Sequence, residues 1–366
     1  MSVLADISLA IWIYLLAGHG KFWQYGPVLE AAVPAAAPAV TVIVPARDEA
    51  DSIEPCLRSL LAQNYPGDYS VILVNDGSTD RTGQIAASFA SPRLRILEGV
   101  ARPEGWSGKL WAMDQGAALA ETPYLFFTDA DIEHRPEHLA TLMAKAVADN
   151  LDMVSEMVEL NCRSFAERAL VPAFVYFFAL LYPFAKVNDS GDRVAAAAGG
   201  TVLIRAEALR RSGGLAAMKG ALIDDVTLAT RVKAGGRIWL GHSRLAVSIR
   251  PYPHAGDVWR MVARTAYVQL RYSPLLLAGT VAGMMLVFLV PPVAALFGHG
   301  LARFAGCAAW IGLTASFLPT VRRFRISPLW AALLPLTALF YTAATIGSAV
   351  NHVSGRGVVW KRRAYS

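Results

Sequence analysis

Short runs of β-branched and aromatic residues alternate with helical patterns in a segment from residue 40 to about 260, and this alternation leaves few possible folds. Strands are expected at 39–46 (AVTVIVPA), 69–76 (YSVILVND), 92–99 and 122–130. Helices are expected between them, at 52–63, 81–90, 109–121 and 136–150. The pattern predicts an α/β domain with a mostly parallel central sheet covered on both faces. Ligands of such sheets bind beyond the carboxyl ends of the strands, so candidate residues lie at 45–49, 75–78 and 128–131.

The composition indicates membrane segments in addition to this domain. The chain is 55% hydrophobic and 17% charged, with a mean hydropathy of +0.39, which is more apolar than a soluble enzyme needs. Residues 3–17 are nearly all apolar and lack the basic start of a signal peptide, so we expect a retained anchor at 1–25. A Pro/Ala linker at 26–39 then precedes the α/β domain at 40–272.

Three apolar blocks follow, at 274–298, 304–321 and 328–350, and each is long enough to span a membrane. They predict a transmembrane region at 273–352, followed by a basic tail at 353–366. Basic flanks at 322–325 and 360–363 are typical of the cytoplasmic side, yet three single crossings would place them on opposite sides. A re-entrant hairpin in place of one crossing is an alternative, with breaks possible at Pro291–Pro292 or Pro335. The apolar stretch at 169–185 is interpreted as an interfacial or acceptor-facing helix.

Two aspartates end the fourth predicted strand, and only Ala130 separates them. Pro136 suits the first turn of the next helix, so Asp129 and Asp131 are not needed as helix caps. Two carboxylates this close repel each other unless a cation lies between them. Such a pair suits Mg²⁺ or Mn²⁺, which bind few protein carboxylates together with phosphate oxygens or water. The sequence therefore predicts a divalent metal at Asp129 and Asp131.

Other strand ends carry further candidates. Asp76 is available to accept a hydrogen bond from a nucleobase, because Ser78 or Asp80 can cap the following helix. Asp48 and Glu49, after the first strand, are placed to meet a nucleobase or ribose. Lys109 lies in a glycine-flanked turn before a helix, where a diphosphate could bind.

Several other classes of site lack their signatures. Neither the GxxxxGK[ST] nor the GxGxxG motif occurs. The net charge of +6 is spread along the chain, so no nucleic-acid partner is expected. His134 and His138 do not form an HExxH motif and are not assigned a metal.

Six motifs in order carry a family resemblance over about 38–275. They are TVIVPARDEADSIEPCLRSLLAQNYP, VILVNDGSTDRT, GKLWAMDQGAAL, FFTDADIEHRP, AAGGTVLIRAEAL and IDDVTLATRVKAGG. Together they resemble family 2 glycosyltransferases. The segments SFAERALVPAFVYFF, AAAAGG, ALIDD and RMVARTAYVQLRYSPLLLAGT are similar to the hopene-associated glycosyltransferases of bacterial hopanoid biosynthesis.

The resemblance implies a GT-A fold and inverting transfer from a nucleotide sugar, usually UDP-linked. It implies that Asp225 is the catalytic base and that Asp224, where the family has Glu, faces the acceptor. The donor set is Pro45, Arg47, Glu49, Asp76, Lys109, Asp129, Ala130, Arg264 and Arg271. The acceptor set is Gly199, Gly200, Thr201, Gln269 and Tyr272. Asp131 is the more direct metal ligand. Arg264, Gln269, Arg271 and Tyr272 are the nearest counterparts of a family motif that is not matched cleanly.

Asp225 is also the base by elimination. Asp76, Asp129 and Asp131 are used by nucleobase and metal, and a metal lowers the pKa of a carboxylate bound to it. We expect the helix N-terminus at Asp225 to favour the ionised form.

The implied partners are a nucleotide-sugar donor, a hopanoid or related lipid acceptor, the membrane and other hopanoid-pathway enzymes. The implied location is the bacterial inner membrane, with several spans and a cytoplasmic catalytic domain. Two alternatives stay open: a processive polysaccharide synthase, and a catalytically silent nucleotide-sugar-binding subunit.

Overall fold

The computed structural model describes residues 1–221 and 223–354, and the backbone of two short strands after them. The predicted basic tail at 353–366 therefore lies largely outside the described residues. The chain forms two compact units, whose boundaries differ from those predicted at residues 40 and 272. The sheet unit comprises 27–161 and 186–251, and the helical unit comprises 1–26, 162–185 and 252–366.

An eight-stranded sheet forms the centre of the sheet unit. Its strands are β1 Val40–Ala46, β2 Tyr69–Asn75, β3 Leu94–Glu98, β4 Tyr124–Thr128, β5 Ile132–His134, β6 Met153–Glu159, β7 Thr201–Arg205 and β8 Ile238–Ser248. Their order across the sheet is β3-β2-β1-β4-β7-β6-β8-β5. The helices of this unit are α2 Ile53–Leu61, α3 Thr82–Ala87, α4 Gly108–Ala118, α5 His138–Ala148, α8 Ala206–Arg211 and α9 Asp224–Lys233, with a 3₁₀ turn at Leu215–Met218.

The sheet is mixed, with mostly parallel pairings. The pairs β1–β2, β1–β4, β2–β3 and β6–β8 are parallel, whereas β4–β7, β6–β7 and β5–β8 are antiparallel. The antiparallel β7 was not predicted. The chain leaves the sheet unit after β6 and returns before β7, so no crossover helix within this unit joins these two strands in parallel.

Helix α4 lies close to the sheet because of one glycine. Every residue of β1 is buried, as expected for a strand covered on both faces. A Cβ at Gly116 would approach Ile43 Cγ2 to 2.7 Å and Val74 Cγ2 to 3.1 Å. Glycine therefore allows α4 to contact β1 and β2 closely, and this contact sets the position of the first turn of α4.

The helical unit consists of helices around an aromatic core. The helices are α1 Ser2–Gly18, α6 Phe165–Leu181, α10 Ala255–Gln269, α11 Pro274–Met284, α12 Val290–Phe297, α13 Gly300–Arg323, α14 Leu329–Ala332 and α15 Leu334–Val353. The short α7 Phe184–Asn188 lies where the chain passes from one unit to the other, and β9 Val358–Trp360 pairs with β10 Arg363–Tyr365. Trp12, Tyr176 and Phe288 are almost fully buried, and Trp12 contacts Phe288 edge to face at 5.9 Å between ring centroids. The predicted apolar stretch at 169–185 supplies α6, which contributes Leu170 and Tyr176 to this core.

The proline pair predicted as a possible break lies inside a continuous helical segment. Helix α11 passes through a π-helical turn at Met285–Leu289 into α12. The Val287 carbonyl would accept from residue 291 in an α-helix and from residue 292 in a π-helix, and both are prolines. The indole of Trp12 donates to this carbonyl at 2.8 Å. A side chain of α1 thus satisfies the acceptor that the prolines leave open.

Two of the described helices are long and apolar enough to cross a membrane, Pro274–Phe297 and Gly300–Arg323. Only 17% of the apolar window of the first is buried within the protein, compared with 44% for the second, and a buried core helix can also meet these criteria. Helix α1 is apolar but shorter. The third predicted span is divided into α14 and α15, and α15 does not reach the same hydropathy.

Candidate active site

Asp76 and Arg47 form a buried pair at the ends of β1 and β2. These strands pair in parallel up to Ala46 and Asn75, so the next residue of each lies at the same edge of the sheet. The Asp76 amide donates to the Ala46 carbonyl at 2.9 Å. The Arg47 guanidinium donates to the Asp76 carbonyl and lies 3.7 Å from its carboxylate. Both residues are over 90% buried, so the negative charge of Asp76 is held against a cation.

Lys109 joins two acids of the site. Its Nζ lies 2.7 Å from Asp129 Oδ1 and 3.9 Å from Asp224 Oδ2. Lys109 lies in the first turn of α4 rather than in the turn before it, and Ser107 caps this helix by accepting from the Leu110 amide. A cation in the first turn opposes the helix dipole, and the two carboxylates offset this cost. Burial lowers the pKa of Lys109, but Asp129 and Asp224 outweigh burial and raise it, so the ammonium stays charged.

Arg250 neutralises two acids that follow different strands. Its Nε lies 2.6 Å from Asp131 Oδ2, and a terminal nitrogen lies 2.8 Å from Glu49 Oε1. Glu49 follows β1, Asp131 follows β4 and Arg250 follows β8. Arg250 was not predicted from the sequence, because the run that forms β8 was not assigned as a strand. Basic residues at the end of that run are the signal that would have indicated it.

Asp225 is held by two backbone amides at the start of α9. The Gly199 amide donates to Oδ2 at 2.9 Å and the Val226 amide to Oδ1 at 2.8 Å. Burial and then the negative charge of Asp224 raise the pKa of Asp225 to about 6, against the opposing effects of Lys109 and the two amides. The helix N-terminus was expected to lower the pKa of Asp225, but burial and Asp224 outweigh that effect. A pKa near 6 still leaves a base that is mostly ionised at neutral pH and able to accept a proton.

Glycines allow this close approach of the acceptor-side loop. A Cβ at Gly199 would lie 3.3 Å from Asp225 Oδ2 and 3.4 Å from Lys109 Nζ. A Cβ at Gly200 would lie 2.6 Å from Ile132 Cδ1, which is closer than Cβ atoms are found. The Gly200 carbonyl accepts from the Asp129 amide at 3.3 Å. The loop thus connects Asp225 to the segment of Asp129 and Asp131.

The predicted metal ligands contact basic side chains. Asp129 contacts Lys109 and Asp131 contacts Arg250, and within 1–221 and 223–354 no three His, Cys, Asp or Glu residues are grouped to hold a metal. Burial raises the pKa of Asp129, Lys109 opposes this, and Asp131 raises it further. The carboxylates therefore repel each other and require positive charge. Two carboxylates fit a Mg²⁺ or Mn²⁺ site that is completed by phosphate oxygens.

The predicted site residues are divided between the two units. The sheet unit holds Pro45, Arg47, Glu49, Asp76, Lys109, Asp129, Ala130, Asp131, Gly199, Gly200, Thr201, Asp224 and Asp225. The helical unit holds Arg264, Gln269, Arg271 and Tyr272. Gln269 donates to the Tyr182 hydroxyl at 2.6 Å, and Tyr272 stacks on His352 with ring centroids 4.3 Å apart. The roles assigned to these residues stay predictions.

Acids and a lysine lie at the carboxyl edge of a mixed α/β sheet, which is where sheets of this kind bind their ligands. The comparison with protein families is specific: residues 41–213 match the model of glycosyl transferase family 2. The protein therefore contains a family 2 glycosyltransferase domain.

Curated relatives align with parts of this domain. The chain is 34% identical over 116 residues to the uncharacterized glycosyltransferase YibD of Escherichia coli, covering 31% of this chain and 32% of that protein. It is 40% identical over 95 residues to a 4,4'-diaponeurosporenoate glycosyltransferase of Staphylococcus aureus, covering 26% and 24%. The matches thus span about a third or less of these relatives.

A solved structure shares the fold along almost the whole chain. It is the mannosyltransferase PcManGT from Pyrobaculum calidifontis in complex with GDP-Man and Mn²⁺. The TM-score is 0.57 at 22% identity, and the match covers 95% of this chain and 99% of that one. The expected GT-A-like fold is thereby confirmed.

Proposed function

We propose that this protein is an inverting glycosyltransferase that transfers a sugar from a nucleotide diphosphate to a hydroxyl group of a membrane lipid. The observation that carries the proposal is the position of Lys109 between Asp129 and Asp224, next to Asp225. One cation thus joins Asp129, assigned to the donor diphosphate, with Asp224, assigned to the acceptor side.

Each residue has a defined role in this reaction. Asp225 accepts the proton of the acceptor hydroxyl as its oxygen attacks the anomeric carbon. The bond from that carbon to the diphosphate oxygen breaks on the opposite face, and the nucleoside diphosphate leaves with the electron pair. Lys109 lies where it can neutralise the charge of this leaving group. Asp129 and Asp131 would hold a divalent cation, which supplies further positive charge to the diphosphate.

The donor is a nucleotide sugar. The family resemblance favours UDP, whereas the structural neighbour is a complex with GDP-Man and Mn²⁺. Both UDP- and GDP-sugars are therefore tested as donors. Buried Asp76 is assigned to the nucleobase, and Glu49, Pro45, Arg47 and Ala130 to the walls of the donor site. Mn²⁺ in the neighbour supports the assignment of a divalent cation.

A lipid acceptor is supported by the helical unit. Helices α11 to α13 expose large apolar side chains, such as Leu275 at 81%, Leu301 at 80% and Ile311 at 70%, which lipid would cover. One relative is named as a 4,4'-diaponeurosporenoate glycosyltransferase, which is a lipid-related activity. We assign a hopanoid or its precursor as the acceptor, and other hopanoid-pathway enzymes as partners. The proposed location is the bacterial inner membrane, with the sheet unit in the cytoplasm.

One transfer assay tests this function. Purified protein in lipid nanodiscs is incubated with labelled UDP- or GDP-sugars, Mn²⁺ or Mg²⁺, and a bacterial lipid extract containing hopanoids. A labelled lipid that is lost with EDTA supports the proposal. A labelled polymer would identify a processive synthase, and donor binding without transfer would identify a silent nucleotide-sugar-binding subunit.

A further inference from the structure

Four polar side chains form a buried hydrogen-bonded series, here called the buried relay. Glu156 Oε2 on β6 lies 2.9 Å from His138 Nε2 on α5, and His138 Nδ1 lies 2.8 Å from His134 Nδ1 on β5. His134 Nε2 then lies 3.0 Å from Thr128 Oγ1 at the end of β4. None of the four residues is more than 4% exposed.

The hydrogen bonds assign the protons of the buried relay. Thr128 has one hydroxyl proton, which it donates to the Gly200 carbonyl at 2.9 Å, so His134 Nε2 must donate to Thr128. Burial, and then the neighbouring His138, lower the pKa of His134, which is therefore neutral and accepts at Nδ1 from His138. One further proton lies between His138 and Glu156. From His138 Nδ1 onwards, each donor in the series thus points towards Gly200.

Both ends of the buried relay meet the same segment, residues 199–201. At one end Thr128 donates to the Gly200 carbonyl, which also accepts from the Asp129 amide. At the other end Thr201 donates to the Glu156 carbonyl at 2.7 Å and accepts from its amide at 3.2 Å. The Gly199 amide holds Asp225. The segment therefore lies between the metal-binding acids and the base.

We propose that Glu156, His138, His134 and Thr128 are positioning residues that fix the 199–201 segment and, through Gly199, the carboxylate of Asp225. This inference rests on the proposed function, in which Asp225 is the base.

Stability alone does not account for the buried relay. Burying hydrogen-bonded polar groups stabilises a fold no more than apolar side chains of the same volume would. A fully connected polar network instead specifies a single geometry, because each donor has one partner. The end point of the network is informative. Its last donor, the Thr128 hydroxyl, holds the Gly200 carbonyl beside the reacting groups rather than another part of the core.

Two substitutions of Thr128 test the proposal. Thr128→Val removes both hydrogen bonds of the hydroxyl at nearly constant volume, and Thr128→Ser keeps the hydroxyl. Loss of one neutral hydrogen bond, about 1 kcal/mol, corresponds to about a fivefold fall in rate. We expect Thr128→Val to lower kcat about fivefold or more, with the Kd for nucleotide and Mn²⁺ changed less than about twofold. Thr128→Ser should recover most of the loss.

Two measurements examine the interior of the buried relay. His134→Phe is expected to lower kcat in the same way without touching the hydroxyl, with thermal unfolding as the folding check. Histidine-selective ¹⁵N NMR of the wild-type protein should show His134 as the neutral Nε2–H tautomer, and this measurement needs no variant to fold.

The outcomes separate this inference from the proposed function. Equal kcat in Thr128→Val and Thr128→Ser would overturn the positioning role while leaving the transfer activity intact. An Nδ1–H tautomer of His134 would also overturn it. Absence of transfer by the wild-type protein would overturn both the function and the role of the buried relay in it.

Discussion

Arg250 Nε lies 2.6 Å from Asp131 Oδ2, so the acid assigned to the metal is already paired with a cation of the protein. The same guanidinium contacts Glu49 at 2.8 Å and is 37% exposed at the side chain, whereas both acids are more deeply buried. A divalent cation that binds Asp131 must therefore compete with Arg250. The donor diphosphate, which binds the cation as well, would shift this competition towards the metal.

Arg250→Gln should alter metal affinity and stability in opposite directions. Without the arginine, Asp131 is free to bind Mn²⁺, so the Kd for Mn²⁺ alone should fall several-fold when measured by electron paramagnetic resonance. Without metal, the variant should lose about 1 kcal/mol of stability, because Asp131 and Glu49 lose their shared partner. Added Mn²⁺ should recover more stability in the variant than in the wild type.

Arg244→Gln is the matched control for this arginine. The Arg244 guanidinium lies 3.5 Å from the exposed Glu30 carboxylate, and the same change there should leave Mn²⁺ affinity unchanged. Weaker Mn²⁺ binding by Arg250→Gln would show that the arginine supports the metal site rather than competing for it.

Asp225→Asn should make the protein less active and more stable at neutral pH. The amide keeps the size of the side chain but cannot accept the proton, so kcat should fall by about 100-fold or more. Because the folded state raises the pKa of Asp225 to about 6, ionisation above pH 6 opposes folding. Thermal unfolding should show a gain of about 1 kcal/mol at pH 8 that shrinks as the pH falls from about 6 to about 4 and is absent near pH 3, where the wild-type carboxyl is mostly protonated in both states.

Asp76→Asn provides the comparison for Asp225. It should raise the Kd for the nucleotide sugar more than it lowers kcat, since its carboxylate is assigned to the nucleobase. If Asp225→Asn lost donor affinity at unchanged kcat, the two roles would be reversed.

The pH dependence of the transfer rate should be set by the charged groups around Asp225. The groups that face it are Asp224, Lys109 and the two backbone amides of Gly199 and Val226. Transfer should fall about tenfold per pH unit below about 6, as the base becomes protonated. Asp224→Asn removes a negative charge and should move this acid limb to lower pH. Lys109→Met removes a positive charge and should move it to higher pH, with a loss of donor affinity. A limb that stays in place in both variants would exclude Asp225 as its origin.

The features predicted from sequence were those carried by local patterns. β1, β2 and β4 end within two residues of their predicted ends, and Asp76 and Asp129 follow β2 and β4, because strand patterns and strand-end acids are visible over a few residues. Pairing between distant segments was not visible. Asp131 and Arg250 are 119 positions apart, and their contact depends on the parallel pairing of β6 with β8 and the pairing of β8 with β5.

The charge state of the base was another property that local sequence could not determine. The position of Asp225 at a helix N-terminus predicts a lowered pKa, whereas burial and Asp224 raise it. The buried relay could not be predicted from local sequence either. His134 and His138 are four residues apart across Pro136, yet their partners Thr128 and Glu156 come from β4 and β6.

The hydrogen bond from Trp12 to Val287 should stabilise the helical unit only while the prolines leave that carbonyl without a helical donor. Trp12→Phe keeps an aromatic ring but removes the indole N–H, and should lower stability by about 1–2 kcal/mol through the unsatisfied carbonyl and the lost contact area. Pro291→Ala restores a backbone N–H that can donate to Val287 within the helix. In that background Trp12→Phe should cost less stability, which gives a coupling free energy of about 1 kcal/mol in a double-mutant cycle measured by thermal unfolding in detergent.

Trp23→Phe is the control, because the Trp23 indole donates to the Leu16 carbonyl, which is far from the prolines in sequence. The stability cost of Trp23→Phe should therefore not depend on residue 291. Equal costs of Trp12→Phe in the two backgrounds would contradict this account of the helix break, since the indole would then contribute only through packing.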